Sequence, residues 1–327
     1  MKASAAGATI KCKGDRPHMK LLILATTLLA SLGMAACSHA TSTPEALAKA
    51  VQAAFDKGDF DAARKLADLD DAPADLHFYF FENVRECSTE STCSVSASPA
   101  TDEDRAQLQE TAKQLNAQVP AVDGMITVTT KAKDGSSSGK MTMPYAKVGD
   151  GFRIVTIRYS ESERAALRAK SDKALVDEFF AQGIRDSSGE LRTDWASAAT
   201  ALPADGGAPG KAFVAQTRAM SAAVDAKDPD AAMNSGGQMA SIVHRDKDFD
   251  GKPIPLVERQ RKLHVQSLRM LRDVKVNGGY QLGDDVVLLI EARNGIGWIE
   301  RGPILLSRDG EYWSKAGDNL VSYPATP

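Results

Sequence analysis

Strands joined by turns too short for a crossover are the feature that most constrains this chain. Between residues 125 and 159, apolar alternation marks strands Met125 to Lys131, Gly139 to Val148 and Gly151 to Tyr159. They are linked only by Asp134-Gly135-Ser136-Ser137-Ser138 and by Gly149-Asp150. Parallel pairing needs a connection of about a dozen residues or more, so these strands form an antiparallel meander. A second set follows near Asp273 to Val276, Asp285 to Arg293, Ile296 to Ser307 and Glu311 to Lys315. The strand Val286 to Arg293 is apolar on both alternations, so both of its faces must be covered.

Helices precede each set. Glu45 to Leu69 carries Leu47, Val51 and Phe55 at helical spacing, breaks at Gly58, and resumes with Ala62 and Leu66. Leu76 to Val84, with Phe78, Tyr79, Phe80 and Phe81, is expected as a strand. Thr101, ahead of Asp102, Glu103 and Asp104, starts a helix reaching about Gln118, and Ser160 caps a long one reaching about Gly183. Later helices are expected over Phe213 to Ala226 and Pro255 to Leu271. The fold class is α+β: a first lobe over 45–185, a linker over 186–210 rich in Ala, Gly, Asp and Pro, and a second lobe over 211–327.

Two echoes point to duplication. Phe55-Asp-Lys-Gly-Asp59-Phe-Asp-Ala-Ala63 aligns with Val224-Asp-Ala-Lys-Asp228-Pro-Asp-Ala-Ala232, and Val148-Gly-Asp-Gly151-Phe with Arg308-Asp-Gly310-Glu. Chance recurrence of Ala-rich helices and Asp-Gly hairpins is the alternative. A helix opening on Asp-x-Asp-Ala-Ala, followed by a meander closing on Asp309-Gly310-Glu311-Tyr312-Trp313, resembles the nuclear transport factor two-like superfamily. The resemblance implies that in each lobe a curved, cone-like antiparallel sheet wraps helices around a pocket. That superfamily holds isomerases, cyclases, dehydratases and non-enzymatic binding lobes, so fold does not choose the activity.

The N-terminus reads as an address. Met19-Lys20, the apolar run from Leu21 and small residues to Ala36 have the layout of a signal peptide, and the 16 residues Leu21 to Ala36 fall short of the roughly 20 a spanning helix needs. Met34-Ala35-Ala36-Cys37 resembles the bacterial lipoprotein lipobox, with Met34 where Leu is commoner. The resemblance implies lipidation of Cys37, removal of residues 1–36 and a lipidated tether over 37–44; Ser38 implies release to the outer membrane, facing the periplasm. More than one acyl chain makes such attachment durable. Residues 1–18 lengthen the leader oddly, which favours a true start at Met19 and leaves Cys12 outside the product.

Processing changes the charge. The whole chain has 40 Lys and Arg against 43 Asp and Glu, whereas the processed chain keeps 35 against 42. No basic surplus marks a nucleic-acid binder. Cys87 and Cys93 remain, and in an oxidising compartment they read as a disulfide closing a strand-to-strand loop. Closing so small a ring contributes only about 2 kcal/mol. With no His beside the pair, zinc is not indicated.

Chemistry-bearing candidates are few. Asp246, Asp248 and Asp250 before Gly251 have the alternation of a calcium loop, but position 12 is Val257, Glu258 falls one residue late, Lys247 intrudes, and Pro253 and Pro255 restrict the backbone. His264 shares a helix face with Val257, Leu268 and Leu271, and is a candidate acid or base with Glu291 or Glu300 as partner; His244 and His77 carry no stronger argument. No nucleophile elbow, phosphate loop or dinucleotide fingerprint is present. The expectation is a non-catalytic binding or accessory lipoprotein with a protein or envelope partner, an immunity or inhibitor protein being one concrete form. The alternative is a pocket enzyme of the cyclase or isomerase kind using His264.

Overall fold

A computed structural model describes residues 41–114, 116–185 and 189–325. The expected signal peptide, Met19, Cys12 and Cys37 lie outside the described residues.

The first lobe begins with α1 (Pro44–Lys57), whose cap Thr43 accepts the Ala46 N–H, and α2 (Phe60–Lys65), capped by Asp59. α3 (Ala74–Thr89) replaces the strand expected at Leu76 to Val84. Aromatic residues favour strands, but burial here recurs at His77, Phe78, Phe80, Phe81, Val84 and Arg85, a helical stripe that tertiary packing enforces over propensity. β1 (Ser91–Pro99) follows, unassigned from sequence although Cys93, Val95 and Ala97 alternate with serines. The Cys87–Cys93 disulfide is present and joins the end of α3 to β1, so it staples helix to strand and not strand to strand.

The chain continues through α4 (Asp102–Gln114), β2 (Ala117–Gln118), β3 (Gly124–Ala132), β4 (Ser138–Val148), β5 (Gly151–Ile154) and β6 (Arg158–Tyr159). β1, β3, β4 and β5 form an antiparallel sheet in that order. The expected long helix is two, α5 (Glu161–Ala169) and α6 (Asp172–Ala181). Lys170 turns extended, and Ser171 starts a new cap on the Ala174 N–H.

Past β7 (Ile184–Arg185), β8 (Leu191–Arg192) and α7 (Trp195–Ala198), the strand β9 (Thr200–Leu202) pairs with β10 (Arg272–Leu282). The intervening helices are α8 (Gly207–Asp225), α9 (Pro229–Met233), α10 (Gly237–His244) and α11 (Leu256–Ser267). The second sheet is completed by β11 (Asp285–Arg293), β12 (Trp298–Asp309) and β13 (Tyr312–Asp318) in the order β9-β10-β11-β12-β13, with β14 (Val321–Pro324) beside β12. Register shifts in β10 and β12 help this sheet curl.

The expected linker is therefore structured in its described part. Trp195 is 1% exposed, and it joins Val176, Phe179 and Phe180 of α6 against Val287 and Leu305. On the other face Phe213 packs with Val286, Leu288, Ile290, Ile304 and Leu306. Both faces of β11 are thus covered from within the chain. α6, expected in the first lobe, serves the second because the doubly apolar strand needs that cover.

The first echo is reproduced in backbone geometry. Gly58 N–H donates to Phe55 at 3.0 Å and Asp59 N–H to Ala54 at 2.9 Å; Lys227 donates to Val224 at 2.9 Å and Asp228 to Ala223 at 2.9 Å. Both pivots are left-handed, at φ 62° for Gly58 and 53° for Lys227. Asp59 and Asp228 cap the helices that follow, and Ala63 and Ala232 are fully buried. The second echo is real in kind but slipped: Gly310 opens the two-residue turn after β12 with φ 61°, and its counterpart is Gly149, also at φ 61°, not Gly151. Each lobe runs from a helix through a short helix into antiparallel strands, with α4 and β2 between β1 and β3 in the first and α10 added before α11 in the second.

α11 locks the lobes together. Its Val265 and Leu268 belong to the first lobe's core, while Leu263 packs with Ala223 and Ala232 of the second. Arg269 lies over Phe78 at 3.7 Å and pairs with Asp75 at 2.7 Å. Arg261 donates to Ser88 at 3.2 Å and to the Lys57 carbonyl at 2.8 Å. Leu268→Ala is expected to cost about 2–5 kcal/mol and to shift both lobes together. Denaturant unfolding followed by tryptophan fluorescence, which reports only Trp195, Trp298 and Trp313, and by amide exchange in α3 checks this. An unmoved tryptophan transition beside a weakened α3 would show independent lobes.

Candidate functional site

A cavity of about 390 Å³ lies in the second lobe between α8, α10, α11 and β13. Phe213, Met220, Met239, Met270, Leu263 and Trp313 supply much of its apolar lining. Gln216 braces the wall: its amide donates to the Trp313 carbonyl at 2.9 Å and accepts the Trp313 N–H at 3.0 Å, tying β13 to α8. α10 is docked by Asp309, which accepts the Gln238 N–H at 2.7 Å, and by Tyr312, whose hydroxyl donates to Asn234 at 3.1 Å. Such size and apolarity are those of a small-molecule site.

The polar group of interest in this wall is His244 at the end of α10, which is 5% exposed. Its Nδ1 is buried with no hydrogen-bond partner. Burial, then the cations Lys262 and Arg259, push its pKa down to about 4, so the imidazole is neutral at pH 7. Arg259 stands behind it, donating to the His244 carbonyl at 2.8 Å and to Asp230 at 2.6 Å. A neutral imidazole carries one donor and one acceptor nitrogen, and the buried Nδ1 has no hydrogen-bond partner among the described residues.

In the first lobe aromatic rings meet between the counterpart helices, and a smaller recess of about 200 Å³ is lined by Leu76, Tyr79 and Phe80 of α3 with Leu108 and Met143. Phe55 of α1 meets Phe80 of α3 edge-on at 5.8 Å, Phe80 meets Phe81 at 5.1 Å and Phe60 meets Phe81 at 5.9 Å.

The histidine singled out from sequence lies elsewhere. His264 stands at the lobe interface, tilted on Phe60 at 4.7 Å and edge-on to Phe81 at 6.5 Å. It lines a separate recess of about 530 Å³ with Asp59, Asp61 and Lys227. One edge reaches solvent, yet the crowding of its ring and the Arg64 charge lower its pKa, Asp61 opposing. Neither expected partner bonds to it. Glu291 faces Lys275 at 3.9 Å. Glu300 accepts from Asn294 at 2.6 Å and Ser322 at 2.9 Å, with its pKa raised by burial. His77 is buried in α3 with its pKa lowered, by burial first and then Arg64.

The calcium candidates form a hairpin tip. Asp248 spends one carboxylate oxygen on the N–H groups of Asp250 at 2.9 Å and Lys252 at 2.8 Å, and Asp250 faces Lys252 at 3.6 Å. Among the described residues no group of three His, Cys, Asp or Glu side chains is placed to hold a metal. His244 was not legible because α10 is short and its apolar face is recognisable only against β13.

No protein family model matches the chain, and no curated protein matches it in sequence. A solved structure of a cystatin-like protein from Ruminococcus gnavus is similar at 12% identity over 90% of this chain and 95% of that one, with a TM-score of 0.21. A likeness that remote carries no argument, and the α+β architecture with its curled sheet rests on the strand order above.

The depressed His244 pKa has a defined sign. Between pH 6.5 and about 4 the unfolded chain binds this proton and the folded one does not, so stability falls as pH drops through that window. Replacing His244 by Gln is expected to remove up to about 3 kcal/mol of that acid-side loss, measured by urea unfolding at stepped pH. An unchanged slope would refute the assignment.

Proposed function

We propose that this chain is a lipid-anchored binding module of the bacterial envelope, facing the periplasm. Its two lobes follow the nuclear transport factor two-like plan, and its second-lobe cavity seats an apolar envelope component. The observation that carries this reading is the contrast between duplicated lobes: aromatic rings meet between the helices of the first, while the second keeps a methionine-rich cavity with an unpartnered neutral imidazole in its wall. Methionines adapt to irregular guests, and the imidazole orients a polar end. The same imidazole favours the pocket-enzyme alternative in an altered form, with His244 in the acid–base role in place of His264.

Ala240 lines the cavity, so Ala240→Phe is expected to fill it at a stability change below about 1 kcal/mol, whereas Ala232→Phe in a packed cluster costs about 1–3 kcal/mol. A fluorescent long-chain fatty acid should bind the parent saturably and the Ala240→Phe variant at least about tenfold more weakly. Equal binding by the two proteins sinks the reading.

No helix among the described residues is long and apolar enough to cross a membrane, and attachment is assigned to Cys37. Palmitate labelling should mark the parent, while Cys37→Ser should stay unlabelled and move to the soluble periplasmic fraction. Persistent labelling of the variant refutes the anchor.

A further inference from the structure

A second cleft, of about 640 Å³, lies between the lobes, bounded by the end of α3, the β3–β4 hairpin and the segment from Val243 to Lys262. Its lining is charged, and most of those charges are committed. Glu90 accepts from Arg85 at 2.8 and 3.2 Å. Arg259 is spent on Asp230 and the His244 carbonyl, and Lys133 donates to the Thr89 carbonyl at 2.6 Å. Glu86 accepts from Ser91, Asp134 from the Ser136 N–H, and Asp248 from two backbone N–H groups.

Two cations are left over. Lys262 is half-buried and makes no hydrogen bond or ion pair among the described residues. Arg245 holds its guanidinium 3.6 Å from the Phe249 ring centroid and keeps a buried Nε–H without an acceptor. Lys262 lies within electrostatic reach of Arg245 and of Arg85. Burial and then Arg85 push its ammonium below the ordinary lysine range, with Arg245 adding to this and Glu90 and Glu82 opposing. Neighbouring, partly desolvated like charges repel, and an anion between them relieves that cost.

We propose that the inter-lobe cleft binds a small oxyanion, a carboxylate or phosphate group borne on a polar ligand, between the Lys262 ammonium and the Arg245 guanidinium. The Phe249 ring pre-orients the guanidinium plane, whose paired N–H groups match two oxygens of one anionic group. Glu86, Asp134, Asp248 and Glu258 line the rest of the cleft, so a compact charge is admitted and a polyanion repelled. Both lobes contribute to the cleft, and nothing in it depends on an occupant of the apolar cavity.

The test is a titration of the full chain with inorganic phosphate and, separately, succinate at fixed ionic strength, read by amide chemical shifts. Saturable shifts in 132–137, 245–249 and 258–262 are expected, and the anion preferred identifies the group. Lys262→Gln and Arg245→Gln should each weaken binding by about tenfold or more, whereas Lys262→Arg and the hairpin-tip control Lys252→Gln should bind within about threefold of the parent. Unchanged melting temperatures confirm that the variants fold. No saturable shift by about 20 mM of either anion, or equal losses in Lys252→Gln and Lys262→Gln, overturns the proposal.

Discussion

Val265 and Leu268 leave the second lobe and complete the core of the first, while Leu263 on the same helix closes a cluster with Ala223 and Ala232. Residues two apart on an α-helix point about 200° away from each other, so α11 presents apolar surface to opposite sides. A helix used in this way cannot be withdrawn from either core without opening a cavity in it. His264, read from sequence as a candidate acid or base, occupies the same helix and lies tilted on Phe60 across the boundary. The lobes are therefore coupled, and the recesses lined by α11 take their shape from its position.

The two lobes share local backbone geometry and differ in how their helices are filled. Asp59 and Asp228 cap equivalent helices, and Gly149 and Gly310 open equivalent hairpins. Between α1 and α3 the first lobe carries Phe55, Phe80 and Phe81, which close the helices on one another. In the second, α10 lies beside α8 and α11, and Met220, Met239 and Met270 line the cavity with Phe213 and Trp313. Asp75, Ser88 and the Lys57 carbonyl of the first lobe accept from Arg269 and Arg261 of the second.

Much of this was legible before the tertiary structure. The meander strands, the Asp-capped short helices, the doubly covered β11 and the Cys87–Cys93 pairing follow from periodicity, cap chemistry and cysteine arithmetic. The misreadings share one cause. Leu76 to Val84 looks like a strand by composition, and the linker looks loose by its Ala and Gly content, because neither shows what it packs against. Trp195 becomes core, and Phe78 to Phe81 become helical, once α6, β11 and α11 surround them. The calcium-like aspartates show the converse: alternation along the chain put carboxylates close in sequence, but the hairpin spends Asp248 on its own backbone.

By itself the sequence determined the antiparallel sheets and the paired Asp-capped helix openings, because turn length and cap residues act locally. Only the tertiary structure decided that a cavity opens between α8, α10, α11 and β13, that His244 lines it, and that Lys262 and Arg245 line one wall of the inter-lobe cleft. Those outcomes depend on residues far apart in the chain being desolvated together. Burial, not local pattern, sets whether an imidazole is neutral or a lysine lacks a partner.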